Sequence, residues 1–154
     1  MIRAEGMEEA RQLAWWTFLV TVLVSVAFAM IAYFAGQDAN WDFYNYHFYN
    51  AYAFLNDRFW FDIQPAQRQT NVYPFLDIPF FWLTQAFNVV VASLSYAVVQ
   101  SWQAPAVFIL TYLLLDSLDV RRGATIALSL ALTALAVFSP LNLQLAGATT
   151  GDST

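Results

Sequence analysis

Asp38, Asp42, Asn45 and Tyr49 follow one another at steps of four, three and four residues. On an α-helix that spacing puts two carboxylates, an amide and a phenol on one face. Such a set can do two kinds of chemistry. A carboxylate beside a low-dielectric boundary can take the proton of an acceptor hydroxyl as its oxygen attacks an anomeric carbon, which is general-base catalysis. Two aspartates so spaced can also hold a hard divalent cation, Mg or Mn, through oxygen ligands. Asp38 or Asp42 equally suits the plain work of capping a helix N-terminus. His47, the only histidine, lies about 140° around an α-helix from Asp42, so those two are not expected to pair. Arg58 and Arg68 are the nearby cations, and the planar fork of either fits a phosphate. Each also suits a solvent or headgroup contact, and Asp57, Arg58 and Asp62 are close enough in sequence to pair at the surface.

All these residues fall in one polar, aromatic-crowded stretch, 36–77, which also holds most of the aspartates. Segment 42–55 contains no proline or glycine and is expected to form a helix lying at a membrane surface. Trp41, Tyr44, Phe48, Tyr52 and Leu55 fall near helical spacing on its apolar side. Pro65 marks a break between two loop helices.

The flanking sequence explains why a membrane enters the reading. Only 11% of the 154 residues are charged and 60% are hydrophobic, against about 25% charged in soluble domains. No charge occurs between Arg11 and Asp38, or between Asp77 and Asp116, and each gap exceeds the roughly 20 residues a membrane helix needs. The expected fold is all-α: polytopic transmembrane helices with an outer loop containing interfacial helices. The expected layout is a cytoplasmic tail over 1–12, a first span over 13–35 and the outer loop over 36–77. A re-entrant or short helix follows over 78–92, then a span over 94–115 that Pro105 should kink. A cytoplasmic loop over 116–124, a span over 125–141 and an outer segment over 142–154 complete it. Arg3 and Arg11 precede the first span and Arg121 and Arg122 precede the last, so the positive-inside rule puts both sets in the cytoplasm. Four full crossings would instead leave Arg121 outside.

The net charge of −5 comes without a basic patch, which excludes nucleic acid as a partner. With no cysteine, disulfides and thiolate metal sites are excluded. The polar ends and few helices suggest the N-terminal part of a longer polytopic protein. Oligomeric state is not legible.

Within the loop, Trp41-Asp42-Phe43-Tyr44-Asn45-Tyr46-His47 resembles the WDxxxNYR-type segment of oligosaccharyltransferase catalytic subunits, one residue shorter and with His47 in the arginine's place. Thr70-Asn71-Val72-Tyr73-Pro74-Phe75-Leu76-Asp77 is similar to the His-Pro-Pro-Leu segment that opens the next helix in the same group, with a single proline here. Together with the layout, these segments resemble the GT-C superfamily of integral-membrane glycosyltransferases, including bacterial members of the glycosyltransferase-39 and -87 kind. The resemblance implies transfer of a sugar from a polyprenyl-phosphate donor to an acceptor hydroxyl on the outer face of a bacterial inner membrane. It makes Asp42 the catalytic carboxylate and Asp38 the runner-up. It implies substrate-binding roles for Arg58, Arg68, Asn45, His47 and Tyr49, and a second outer-loop acid at Asp152. Asp152 also reads as part of a plain turn or cap. Two other classes fit the chain: a lipid or solute transporter of flippase type, and a non-catalytic membrane scaffold. Gln85, Asn88, Gln100 and Gln103 put amides but no carboxylates in the later spans, which counts against ion-coupled transport.

Overall fold

In the computed structural model, described for residues 2–36, 41, 43–62 and 74–148, every regular element is a helix. They are α1 (Ile2–Ala35), a π-helical segment (Phe43–Phe48), α2 (Tyr49–Leu55), α3 (Ile78–Ala86), α4 (Val89–Ser101), α5 (Gln103–Ser117), α6 (Arg122–Val137) and α7 (Pro140–Gln144). Two stretches are long and apolar enough to cross a membrane: Gly6–Ala35 and Val89–Ser117. At 1.5 Å per residue the first is about 45 Å long, more than the roughly 30 Å of a hydrocarbon core.

Several expected boundaries move, each for a local reason. Residues 2–12 are helical and continuous with the first span, and their charges pair along α1, Arg11 to Glu8 at 2.9 Å. The expected helix over 78–92 ends at Ala86, and the next begins at Val89 rather than 94. Asn88 makes that break. Its side-chain oxygen accepts from the Val91 amide at 3.0 Å and its carbonyl from the Ala92 amide at 3.1 Å, as an N-cap residue does. A single turn residue, Trp102, separates α4 from α5, and Pro105 lies just after it, with no amide hydrogen to give the Ser101 carbonyl. The last expected span, 125–141, is helical only to Val137, and Pro140 starts the short α7. Two chain reversals use aspartate where glycine is usual. Asp57 and Asp119 take φ of 53° and 55°, and the following amides reach back, Arg58 to the Ala53 carbonyl at 2.8 Å and Val120 to that of Leu115 at 3.2 Å. That is the Schellman pattern of helix termination.

The chain divides into two compact units. The first comprises Met1–Phe28 and Val98–Gln144. In it α5 and α6 form a hairpin: Ala104, Phe108 and Tyr112 are buried on α5, and Thr125, Ser129, Thr133 and Val137 on α6. Both sets repeat every fourth residue, and the small side chains on α6 let the two backbones approach closely. The Thr125 hydroxyl donates to the Val120 carbonyl at 3.0 Å, and that of Thr133 to the Ser129 carbonyl at 2.7 Å. Val20, Val24 and Phe28 form the matching buried row on α1, where Phe28 meets Phe138 with ring centroids 6.1 Å apart. Ser25 and Ser101 share a 2.7 Å hydrogen bond. At the opposite end of α1, Arg122 lies 3.4 Å from Glu9. The start of α1 and the start of α6 therefore share one end of this unit.

The second unit comprises Ala29–Ala97 and Leu145–Thr154. Its core is aromatic. Phe43, Phe80 and Ala92 form one buried cluster with Phe48, Leu83 and Tyr96 against it, and Ala51, Ile78 and Phe81 form a second that also takes in Phe48. One tight crossing involves Gly147, whose φ is 79°. A Cβ there would sit 2.7 Å from the Ala32 Cβ and 3.0 Å from the Ser93 carbonyl oxygen. Gly147→Ala should destabilise the protein by at least about 1 kcal/mol from the left-handed backbone alone, with the clash adding to it. An unfolding midpoint unchanged by this substitution, followed by tryptophan fluorescence, would contradict the crossing.

Candidate functional site

The described site residues sit on the π-helical segment, on α2 and the turn after it, and at the entry to α3. Residues 43–55 are helical, but not as one α-helix. Residues 43–48 bond at i→i+5 spacing before α-helix resumes at Tyr49. The wider register is visible in the side chains: Phe43 and Phe48, five apart, bring their rings to 5.7 Å. The expected apolar face is therefore split. Trp41, Tyr44, Tyr52 and Leu55 are exposed, whereas Phe43, Asn50, Ala51 and Ala53 are buried and Phe48 packs inward. The 140° argument separating positions 42 and 47 assumed α-helical spacing, which residues 43–48 do not keep; Asp42 itself lies outside the described residues.

His47 pairs with a carboxylate that the sequence reading passed over. Its Nδ1 is 3.0 Å from Asp77 Oδ1, and both side chains are largely buried. A carboxylate only accepts, so Nδ1 carries the proton in this contact. Asp77 occupies the N-cap position of α3, yet its side chain makes no capping bond. Its backbone is tied into the turn instead: the Asp77 and Ile78 amides donate to the Pro74 carbonyl at 2.9 and 3.0 Å. The Tyr96 hydroxyl donates to the neighbouring Leu76 carbonyl at 2.9 Å. Pro79 at the start of α3 was the available signal, because proline favours the first helical turn and makes the residue before it a cap candidate.

No protein-family model, curated protein or solved structure matches the chain.

A second polar group centres on Asp62. The Tyr49 hydroxyl donates to Asp62 Oδ2 at 2.6 Å, and Arg58 donates through Nε at 2.8 Å and Nη2 at 2.6 Å, a bidentate fork. The i,i+4 spacing of Arg58 and Asp62 made that pair legible; the contribution of Tyr49 was not. Hydrogen bonds from Arg58 and then Tyr49 lower the Asp62 carboxyl to about 2, and Asp62 raises Arg58 above its ordinary value. Burial first, then the bond to Asp62, raises the Tyr49 phenol to about 12. The signs give opposite pH limits. Asp62 contributes stability above its usual value of 3.8 that is lost as pH falls through about 2. Tyr49 contributes stability below 10.0 that is lost as pH rises through about 12. In a phenolate absorbance titration the difference between the parent and Tyr49→Phe should report a phenol that ionises late, and Asp62→Asn should bring that midpoint down part of the way, burial keeping the rest. A Tyr49 midpoint unmoved by Asp62→Asn would refute the part assigned to Asp62.

The other proposed site residues are placed as follows. The Asn45 side chain donates to the Trp41 carbonyl at 2.8 Å, within its own helical segment. Asp38, Asp42, Arg68 and Asp152 lie outside the described residues. Among the described residues, no group of three or more acidic or histidine side chains is arranged to hold a metal ion.

Proposed function

We propose that the chain is part of a membrane-embedded glycosyltransferase of the GT-C kind, moving a sugar from a polyprenyl-phosphate donor to an acceptor hydroxyl. The observation that carries this reading is the His47–Asp77 contact at 3.0 Å. It joins the two segments in which the sequence resemblance lies, one ending at His47 and the other at Asp77, although 30 residues separate them. The two long apolar helices support insertion in a membrane. The Glu9–Arg122 contact supports placing both arginine sets on one side, the cytoplasmic one of a bacterial inner membrane.

In the proposed reaction the acceptor oxygen attacks the anomeric carbon. The bond from that carbon to the phosphate oxygen breaks, polyprenyl phosphate leaves with the electron pair, and the acceptor proton passes to Asp42. Arg58 has two donors committed to Asp62, so in this reading it braces the turn and the phosphate falls to Arg68. The reading is tested by reconstituting the full-length protein in lipid vesicles with labelled polyprenyl-phosphate hexoses and acceptor lipid extract, since this part alone is not expected to be active. Release of polyprenyl phosphate is the expected result, and no release with any hexose removes the proposal.

A further inference from the structure

The turn after α2 carries the most exposed large aromatics of the second unit. Trp60 is 93% and Phe61 83% exposed, and Phe75 and Leu76 beside α3 are 60% and 86% exposed. They do not trail from a loose chain. Phe54 meets Phe59 with ring centroids 6.4 Å apart and Phe75 at 5.6 Å, both edge to face, so the end of α2, its turn and the entry to α3 share one aromatic support. Backbone bonds from the Phe61 and Asp62 amides to the Arg58 carbonyl, at 3.0 and 3.1 Å, close the turn beneath Trp60.

What occupies this surface follows from its charge and its composition. The turn bears two carboxylates, Asp57 and Asp62, and one guanidinium, Arg58, which is already held by Asp62. It therefore offers no attraction to an anionic surface. Tryptophan and phenylalanine beside a guanidinium already paired to a carboxylate suit the boundary of a bilayer, where an apolar ring is buried and the indole N–H stays hydrated. The same unit contains the last turns of α1, in which Tyr33 and Phe34 are also exposed, so a bilayer holding α1 lies within the reach of this unit.

We infer that Trp60, Phe61, Phe75 and Leu76 form a lipid-surface anchor that beds into the interface of a zwitterionic bilayer by apolar contact. The inference rests on the membrane part of the function proposed above. The absence of cysteine makes a single introduced thiol specific. Trp60→Cys and, separately, Leu23→Cys would each be spin-labelled in phosphatidylcholine nanodiscs, and collision rates with oxygen and with a water-soluble nickel complex compared. Leu23 is an exposed mid-helix position on α1. The expected result is an oxygen-favouring ratio at both sites, deeper at 23 and shallow at 60, unchanged when phosphatidylglycerol is added. A water-like ratio at 60 with a lipid-like one at 23 overturns the anchor alone. Water-like ratios at both overturn the membrane reading as well. Shielding of 60 from both reagents would mean a protein partner, and a requirement for phosphatidylglycerol an electrostatic contact; either overturns the inference.

Discussion

Asp42→Asn is expected to lower sugar transfer by roughly 10²–10⁴-fold, the usual worth of a positioned general base, while the protein still folds and inserts. The carboxamide keeps the shape of the side chain but cannot take the acceptor proton near neutral pH. The loss corresponds to about 3–5 kcal/mol of transition-state stabilisation. Because the proton moves only as the sugar transfers, turnover should fall and the donor's KM should change little. Asp38→Asn is the internal comparison. If it causes the loss and Asp42→Asn does not, the base has been assigned to the wrong aspartate. If neither lowers transfer, the proposed mechanism is wrong.

Phe80→Ala should cost about 3–5 kcal/mol of stability, the range for deleting a buried aromatic side chain. Phe80 is 1% exposed and stands edge-on to two other rings, Phe43 at 5.8 Å and Tyr96 at 5.1 Å. Each such pair contributes about 0.5–1.5 kcal/mol beyond burial. Phe43 directly follows Asp42 in the chain and begins the π-helical segment. Loss of Phe80 should therefore reduce transfer along with the unfolding midpoint. Phe80→Leu, which keeps apolar volume but no ring edge, should retain the larger part of both. A midpoint in Phe80→Ala equal to that of the parent would show that the aromatic cluster does not hold this unit together.

The helical class was legible because charge-free runs and apolar composition leave few alternatives, and both long helices lie where those runs are. Their ends were harder to read. Asn88 and Pro105 act through a few hydrogen bonds gained or lost, and such local events leave hydropathy almost unchanged. Asp57 and Asp119 end helices in a conformation for which glycine is the readable signal. In the candidate site, Arg58 and Asp62 could be paired from their spacing. The partners of His47 and Tyr49 could not, because 30 residues separate His47 from Asp77 and 13 separate Tyr49 from Asp62. The periodicity read over 42–55 holds only from Tyr49 onward, because residues 43–48 turn at the wider π-helical pitch.

That pitch gives segment 43–48 a property that neither flank has. A π-helical turn differs from an α-helical one by a single residue per hydrogen-bonded ring, so the segment is a place where the chain can gain or lose one residue without unravelling. Removing one would restore a regular helix and rotate everything before it by about 100° relative to α2. The side chains that this segment turns toward α3, Phe43 among them, would then be exchanged, with α2 and α3 left in place.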